Sequence, residues 1–173
     1  MPVPSVSTIE ISKEYLHFNA AHFTLFSSTE REDLHGHTFY VAATVDSAVG
    51  DDGLAFDYNL FKGELKVLCD SLDEKTLLPE LSPYLTLERA DGYLVAVFGG
   101  ERIPFLPRDV LTLPIRNVTV EELAPWFLER LRSRPAIAGL GLRRLVVRVS
   151  SGPGQWAAAA WNAPLAEGGA EDS

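Results

Sequence analysis

The stretch Leu34-His35-Gly36-His37-Thr38-Phe39-Tyr40-Val41 decides the fold, because its side chains fall into two alternating sets. Successive residues of a β-strand point to opposite faces of the sheet, so His35 and His37 project from the same side. The alternation continues to Asp46, with apolar residues on the face that the histidines share. The pattern predicts a half-buried antiparallel strand over residues 35–46, with two imidazoles aimed at one point.

A third histidine ends an earlier apolar run, Phe18-Asn19-Ala20-Ala21-His22. The twelve residues 23–34 are polar enough for a connecting loop, so an antiparallel partner strand would bring the three histidines together. Three neutral imidazoles leave one tetrahedral zinc position open, as in catalytic zinc sites. The alternative for each histidine is a hydrogen-bonded, partly buried side chain without a metal. His17 would face the opposite side of the strand and is interpreted as structural.

Length and composition limit the class of protein. The chain has 173 residues, of which 46% are hydrophobic, and this predicts one globular domain with a sizeable core. Its formal net charge of −9 and the lack of a basic stripe argue against a nucleic-acid partner. No apolar run has the length of a membrane span, and no signal-peptide pattern opens the sequence. We therefore expect a soluble, cytoplasmic protein with no membrane partner.

The first half of the chain predicts a lead, a strand and a helix. Residues 1–7 are expected to form a flexible lead, followed by a strand over residues 8–22. Asp57 is placed to cap a helix over residues 58–71. The apolar stripe of this helix consists of Phe61, Leu65, Leu68 and Leu72.

The middle of the chain predicts a loop and an additional hairpin. Cys69, inside the first helix, is interpreted as a small buried side chain rather than a nucleophile. Pro79 and Pro83 predict a loop beyond that helix. Residues 93–105 read as a hairpin around Gly99-Gly100, and Pro104 restricts its second arm to a sheet edge.

The last third predicts a second helix and a strand pair. Thr119 and Glu122 have the spacing of a capping box, and Pro125 predicts a kink or an irregular first turn. Strands are expected over residues 142–150 and 156–161. Residues 163–173 are expected to be disordered, so that residues 8–162 form a single domain.

These segments together resemble the 6-pyruvoyl-tetrahydropterin synthase / 6-carboxytetrahydropterin synthase family. The similarity covers Ile9 to Trp156, and its order and spacing are specific. The matching segments are Phe18–His22, His35–His37, Gly53–Tyr58 with Leu60 and Lys62, Leu72-Asp73, Thr119–Ala124 and Val147–Ser150. The hairpin at residues 93–105 lengthens the usual chain.

The resemblance implies an α+β protein with a T-fold, in which two helices cover one face of an antiparallel four-stranded sheet. Three subunits would close their sheets into a barrel, and two such trimers would stack into a homo-hexamer. Zn²⁺ would be bound by His22, His35 and His37. In the family this metal acts as a Lewis acid on the hydroxylated side chain of a dihydropterin. The implied activity is that of a zinc-dependent lyase acting on a dihydroneopterin-like substrate, with or without a triphosphate.

Three positions depart from the family pattern. The cysteine base that precedes the His-Gly-His is absent, since Arg31 stands four residues before His35. The Asp-His pair that relays a proton at the end of the first helix is Asp73-Glu74 here. The glutamate that anchors the aminopyrimidine edge of the pterin is replaced by Ser151, which has no charge.

Carboxylates near the histidines offer a substitute for the missing cysteine. Glu32, or failing that Glu30, would serve as general base if apolar walls raised its pKa toward neutrality. The alternative is that these residues form a solvated acidic loop. Thr119 and Glu121 match residues that line the pterin pocket across a subunit boundary in the family, although N-capping alone would explain Thr119.

Two other function classes stay open at this point. The first is a T-fold protein without catalytic activity that binds a pterin- or purine-like heterocycle, as the loss of the cysteine and of the anchoring glutamate would allow. The second is a purely structural oligomer in which the histidines are packed rather than bound to metal.

Overall fold

The computed structural model of the chain describes residues 5–164. Helices and mainly antiparallel strands form an α+β arrangement within it, and no described helix is long and apolar enough to cross a membrane. The elements are β1 (Val6–Ile11), β2 (His17–His22), β3 (His35–Ala48), α1 (Tyr58–Leu72), β4 (Lys75–Pro79), β5 (Thr86–Ala90), β6 (Tyr93–Phe98), β7 (Glu101–Phe105), β8 (Val110–Leu113), α2 (Val120–Arg132), α3 (Pro135–Ala138), β9 (Arg144–Ser150) and β10 (Ala157–Asn162).

The main sheet is organised around β3. Among the described residues it has seven strands, in the order β10-β9-β3-β2-β4-β8, with β1 also paired to β3. β2 pairs with residues 35–40 and β1 with residues 43–48 of β3, while β9 occupies its other edge. These pairings are antiparallel, as predicted. β4 and β8 add parallel pairings and extend the sheet beyond the four strands expected.

The single strand predicted over residues 8–22 is divided in two. β1 ends at Ile11 and β2 begins at His17, and a turn between them is closed by the Leu16 N–H, which donates to the Lys13 carbonyl at 2.9 Å. β1 begins at Val6, inside the segment expected to be a flexible lead. Residues 1–4 and 165–173, with most of the predicted disordered tail, lie outside the described residues.

Helix α1 matches its prediction. The Asp57 carboxylate accepts a hydrogen bond from the Asn59 N–H at 2.8 Å, which satisfies a backbone donor that the first turn leaves unpaired. The predicted apolar stripe is buried, and Cys69 is buried with it. The chain beyond α1 differs from the prediction, because Pro79 ends strand β4 rather than lying in a loop.

Helix α2 begins at the predicted residue without the predicted capping box. The Thr119 side chain makes no capping hydrogen bond. Glu122 binds Arg116 instead, accepting from its backbone N–H at 2.9 Å and its Nε at 3.0 Å. The carboxylate is thus occupied by a partner outside the helix, and the helix continues through Pro125 to Arg132.

Both long helices cover one face of the sheet. The Phe18 ring of β2 stacks on Phe39 of β3 with centroids 5.0 Å apart, and on Phe127 of α2 at 5.7 Å. All three rings are fully buried. The sheet face that carries Phe18 and Phe39 is therefore the core face, and the histidines lie at its end.

The additional hairpin is one part of a three-stranded sheet, β5-β6-β7. β6 and β7 flank the predicted Gly99-Gly100 turn, and Pro104 lies in an edge strand as predicted. β5 was not expected. This second sheet shares a separate apolar cluster with the loop before β3, formed by Phe23, Leu25, Leu78, Leu85, Leu94, Ala96 and Phe98.

Candidate metal centre

The register of β2 against β3 brings the three predicted histidines together. His22 pairs with His35, and Ala20 pairs with His37, so all three imidazoles lie on the core face. The ring centroids of His22 and His35 are 4.7 Å apart, and those of His35 and His37 are also 4.7 Å apart. One nitrogen from each ring lies within 4.8 Å of the others. This spacing would allow one metal ion to be held by all three rings.

Backbone carbonyls orient two of the rings. His22 Nδ1 lies 2.9 Å from the Val118 carbonyl, and His35 Nδ1 lies 2.7 Å from the Asp33 carbonyl. A carbonyl oxygen only accepts, so each Nδ1 carries the proton and each Nε2 keeps a lone pair. The buried His22 Nε2 has no hydrogen-bond partner in the described part of the chain. An orphaned nitrogen aimed at two further imidazoles fits a metal-binding site.

Burial favours the neutral form of His22 and His37. Desolvation lowers the pKa of His22 to about 4, and the neighbouring His35 and His37 act in the same direction. Burial and the proximity of His35 also lower the pKa of His37. Metal ligation needs the neutral ring, so at neutral pH His22 and His37 have little protonation to reverse before a metal binds.

A cavity of about 340 Å³ opens beside the triad and collects most of the predicted site residues. His22, His37, Glu32, Thr119, Glu121 and Ser151 all line it, together with residues that the sequence did not single out. Of these, Thr24 follows the first histidine by two residues, and Gln155 follows Ser151 across a Gly-Pro-Gly turn. Only their position close to predicted site residues could have identified them.

Glu32 faces the metal centre, but its pKa moves against the expectation. Its carboxylate oxygen Oε2 lies 3.9 Å from His35 Nε2 and accepts a hydrogen bond from the Thr24 N–H at 2.9 Å. Burial tends to raise the pKa of Glu32, but the Thr24 hydrogen bonds and the nearby imidazoles outweigh it, and the pKa is lowered. The rise toward neutrality on which the base role was made conditional is not found, and Glu32 is a carboxylate at neutral pH.

Asp73 and Glu74 do not line the metal cavity of their own chain. Asp73 accepts a hydrogen bond from the Asn19 N–H at 2.7 Å. The Asn19 side chain shares the outer face of the sheet with Thr38, whose hydroxyl donates to it at 2.8 Å. Glu74 follows with a positive φ of 58° and lines an open hollow of about 530 Å³ with Asn19 and Lys75. His37 also lines this hollow, so Glu74 shares it with one of the predicted metal ligands, whereas Asp73 lines neither the hollow nor the metal cavity.

Comparison with known proteins identifies similar sequences over most of the chain. Residues 10–160 match the family profile described as 6-pyruvoyl tetrahydropterin synthase. A candidate 6-carboxy-5,6,7,8-tetrahydropterin synthase of Pyrococcus abyssi is 31% identical over 142 residues, which are 81% of this chain and 83% of the relative. A protein of Methanocaldococcus jannaschii described in the same words is 29% identical over 144 residues, which are 82% of this chain and 88% of that relative.

Solved structures extend the similarity to the fold. The 6-pyruvoyl tetrahydropterin synthase of Plasmodium vivax superposes with a TM-score of 0.86 at 25% identity, covering 92% of this chain and 99% of that one. Two further structures of the P. vivax protein carry alanine or cysteine in place of a glutamate described as a catalytic residue. The superposition confirms the predicted T-fold.

Proposed function

Because the chain belongs to the 6-pyruvoyl tetrahydropterin synthase family, whose members are lyases of pterin biosynthesis, we propose that it is a zinc-dependent lyase. Its substrate would be a dihydroneopterin-like compound, cleaved at a carbon–oxygen or carbon–carbon bond of the side chain. The convergence of three imidazoles beside a 340 Å³ cavity carries this proposal.

We propose that zinc is the metal, because three imidazoles are a ligand set of catalytic zinc sites. His22, His35 and His37 would hold it. Zinc bound there would supply a Lewis acid that polarises a substrate C–O group and acidifies the neighbouring C–H.

Glu32 is the proposed general base. Its carboxylate is ionised at neutral pH and reaches the edge of the triad, so it can take up the proton of a C–H held at the cavity. A lowered pKa makes it a weaker base than the sequence suggested, and the acidity of the C–H has to compensate. A glutamate is described as a catalytic residue in the P. vivax protein, which supports a carboxylate in this role.

The remaining cavity residues are proposed to bind the heterocycle. Glu121 is a carboxylate on the wall formed by the start of α2, where it can accept hydrogen bonds from the donor edge of an aminopyrimidine. Thr119 and Ser151 add hydroxyl groups to the same cavity. Ser151 offers no charge, so Glu121 would make the charge-assisted contact.

The proton relay proposed for Asp73 and Glu74 would draw on a second subunit. Neither residue lines the metal cavity of its own chain, although Glu74 shares a hollow with His37, so we propose that another copy of the chain supplies the pair to the cavity. We propose a homo-oligomer, a hexamer built from two trimers, as the family resemblance implies. Light scattering on the purified protein tests the assembly.

A second candidate is binding of a pterin- or purine-like heterocycle without turnover. The uncharged Ser151 and the low pKa of Glu32 favour it, since both weaken features that turnover would use. Incubating zinc-loaded protein with dihydroneopterin and with its triphosphate, followed by chromatography, separates the two. Loss of the side chain supports the lyase. Tight binding with unchanged substrate supports the second candidate.

A further inference from the structure

We propose that Arg31 is a positioning residue that fixes Glu32 at the metal cavity and couples it to the three-stranded sheet β5-β6-β7. The inference rests on the proposed function, because it takes Glu32 as the base. Arg31 lines no part of the metal cavity, so any effect on the reaction has to pass through its neighbours.

Glu32 is held from three directions. Its N–H donates to the Thr24 carbonyl at 2.9 Å, and its carboxylate accepts from the Thr24 N–H at 2.9 Å. Its own carbonyl accepts from Arg31 Nη1 at 2.8 Å. The first two bonds join Glu32 to Thr24 across the loop, and the third joins the Glu32 backbone to the Arg31 side chain. Loss of the third bond would leave the peptide unit after Glu32 free to turn.

The guanidinium of Arg31 is itself fixed by the second sheet. It lies over the rings of Phe23 and Phe98, at 5.2 and 5.8 Å from their centroids. Its Nη2 donates to Glu101 Oε2 at 3.0 Å, and its side chain is 20% exposed. Arginine presents several N–H groups in one rigid plane, so one guanidinium can bind Glu101 and the Glu32 carbonyl simultaneously.

The second sheet gives this contact a rigid base. Phe98 ends β6 and Glu101 begins β7, on either side of the Gly99-Gly100 turn. Gly99 has a φ of +55°, and a Cβ at this position would lie 3.7 Å from the Ser28 carbonyl. The turn therefore packs directly against the loop that carries Arg31, and the apolar cluster around Phe23 and Phe98 fixes the rest of the sheet. The sheet thus supports the loop through residues that do not line the metal cavity.

If Arg31 only stabilised the fold, its substitution would affect turnover whether or not Glu32 is present. If Arg31 positions Glu32, its substitution should affect turnover only while Glu32 is present. The variants Arg31→Gln, Glu32→Gln and the double variant separate the two possibilities in zinc-loaded, full-length protein. We expect Arg31→Gln to lower kcat about tenfold to a hundredfold with KM and zinc content unchanged, since small misplacements of a reacting group cost this much. In the Glu32→Gln background the same change should have no further effect, and Arg31→Lys should restore part of the loss. A full second loss in that background would overturn the proposal.

The matched control is Arg102→Gln, which breaks the Arg102–Glu88 ion pair (2.8 Å) on the same sheet without touching the loop. We expect its kcat to be unchanged. Hydrogen exchange of the backbone amides at residues 24–32 gives a readout that needs no substrate. It should be about tenfold faster in Arg31→Gln and unchanged in Arg102→Gln. Unchanged exchange in Arg31→Gln would overturn the positioning role.

If the wild type showed no turnover while amide exchange were faster in Arg31→Gln, the proposed function would be refuted. The positioning of Glu32 by Arg31 would still be supported. If Arg31→Gln does not fold, Glu101→Gln removes the charge that holds the Arg31 guanidinium from the exposed side. We then expect smaller changes of the same sign in kcat and exchange, and no change would overturn the proposal.

Discussion

The Nε2 atoms of His35 and His37 lie 2.9 Å apart. His35 Nδ1–H donates a hydrogen bond to the Asp33 carbonyl. Its Nε2 therefore carries no proton, and the lone pair of that nitrogen faces the His37 ring. The buried His22 Nε2 faces the same point. Lone pairs gathered in this way repel one another unless a cation or a shared proton lies between them.

Substitution of His35 or His37 by alanine should remove the bound metal. Each ligand contributes one of three protein bonds, and two imidazoles alone form an incomplete site. Elemental analysis of untagged wild type should give about one zinc per chain. His17→Ala is the control, because His17 binds the Glu14 carbonyl away from the triad. Zinc retained in the triad variants, or absent from all of them, would contradict the assignment.

Replacing Glu32 by glutamine should lower turnover by about 10²- to 10⁴-fold, the usual contribution of a general base. Zinc content should stay the same, because glutamine keeps the size and the hydrogen bond from Thr24. Glu30→Gln is the matched control from the same loop, with an exposed side chain, and it should behave like wild type. Equal losses in both variants would assign the effect to the loop rather than to the base.

Restoring a carboxylate at Ser151 should strengthen binding of a pterin. Ser151 lines the cavity, and a carboxylate there would accept charge-assisted hydrogen bonds from the donor edge of the ring. We expect Ser151→Glu to lower the Kd of a dihydropterin roughly tenfold, which corresponds to about 1.4 kcal/mol. Ser151→Gln serves as control, because glutamine has the size of glutamate without its charge and should not give this gain. Weaker binding in Ser151→Glu would mean that this wall does not face the heterocycle.

Cys69 should be unreactive in the folded protein. Burial raises the pKa of its thiol to about 12, so almost no thiolate is present at pH 8. Ellman's reagent should modify it only after denaturation. Cys69→Ala should keep the turnover of wild type, whereas a hydroxyl in Cys69→Ser should lower the free energy of unfolding by roughly 1–3 kcal/mol. Rapid modification of native protein would contradict this.

The contact between Glu122 and Arg116 should make stability depend on pH. Hydrogen bonds from Arg116 lower the pKa of Glu122 below its value in the unfolded chain. A lowered carboxylate pKa stabilises the fold above the unfolded pKa, and the stabilisation is lost as the pH falls through the folded value. Glu122→Gln should therefore be less stable than wild type at pH 7, with a smaller difference in acid. Urea titrations at several pH values measure this, and a difference independent of pH would disprove it.

The sequence predicted correctly those helices and strands whose signal lies in neighbouring residues. α1 has one cap and one apolar stripe, and β3 alternates over most of its length, so both are fixed by neighbours in sequence. β4 and β8 are only five and four residues long and pair in parallel with distant strands, which leaves little local signal. The capping box failed because Glu122 has a competing partner in Arg116, which sequence spacing does not reveal.

The candidate site also contains residues that the sequence could predict and residues that it could not. The triad could be predicted because alternation in β3 and an antiparallel neighbour place its members on one face. The lowering of the Glu32 pKa could not be predicted from the sequence, because it depends on a hydrogen bond from Thr24 across a loop. Gln155 belongs to a turn whose path carries no periodic signal.

The continuous run from His35 through Phe39 in β3 has a consequence for how this lineage can change. Metal ligands and core residues share one alternating register, so a single insertion or deletion at Thr38 would turn the two kinds of side chain to opposite faces. Length in this segment is therefore expected to change by even numbers of residues unless a β-bulge absorbs the extra one. Gaps between relatives should accumulate instead in the turn at residues 27–29 of the preceding loop, which makes none of the hydrogen bonds that hold Glu32.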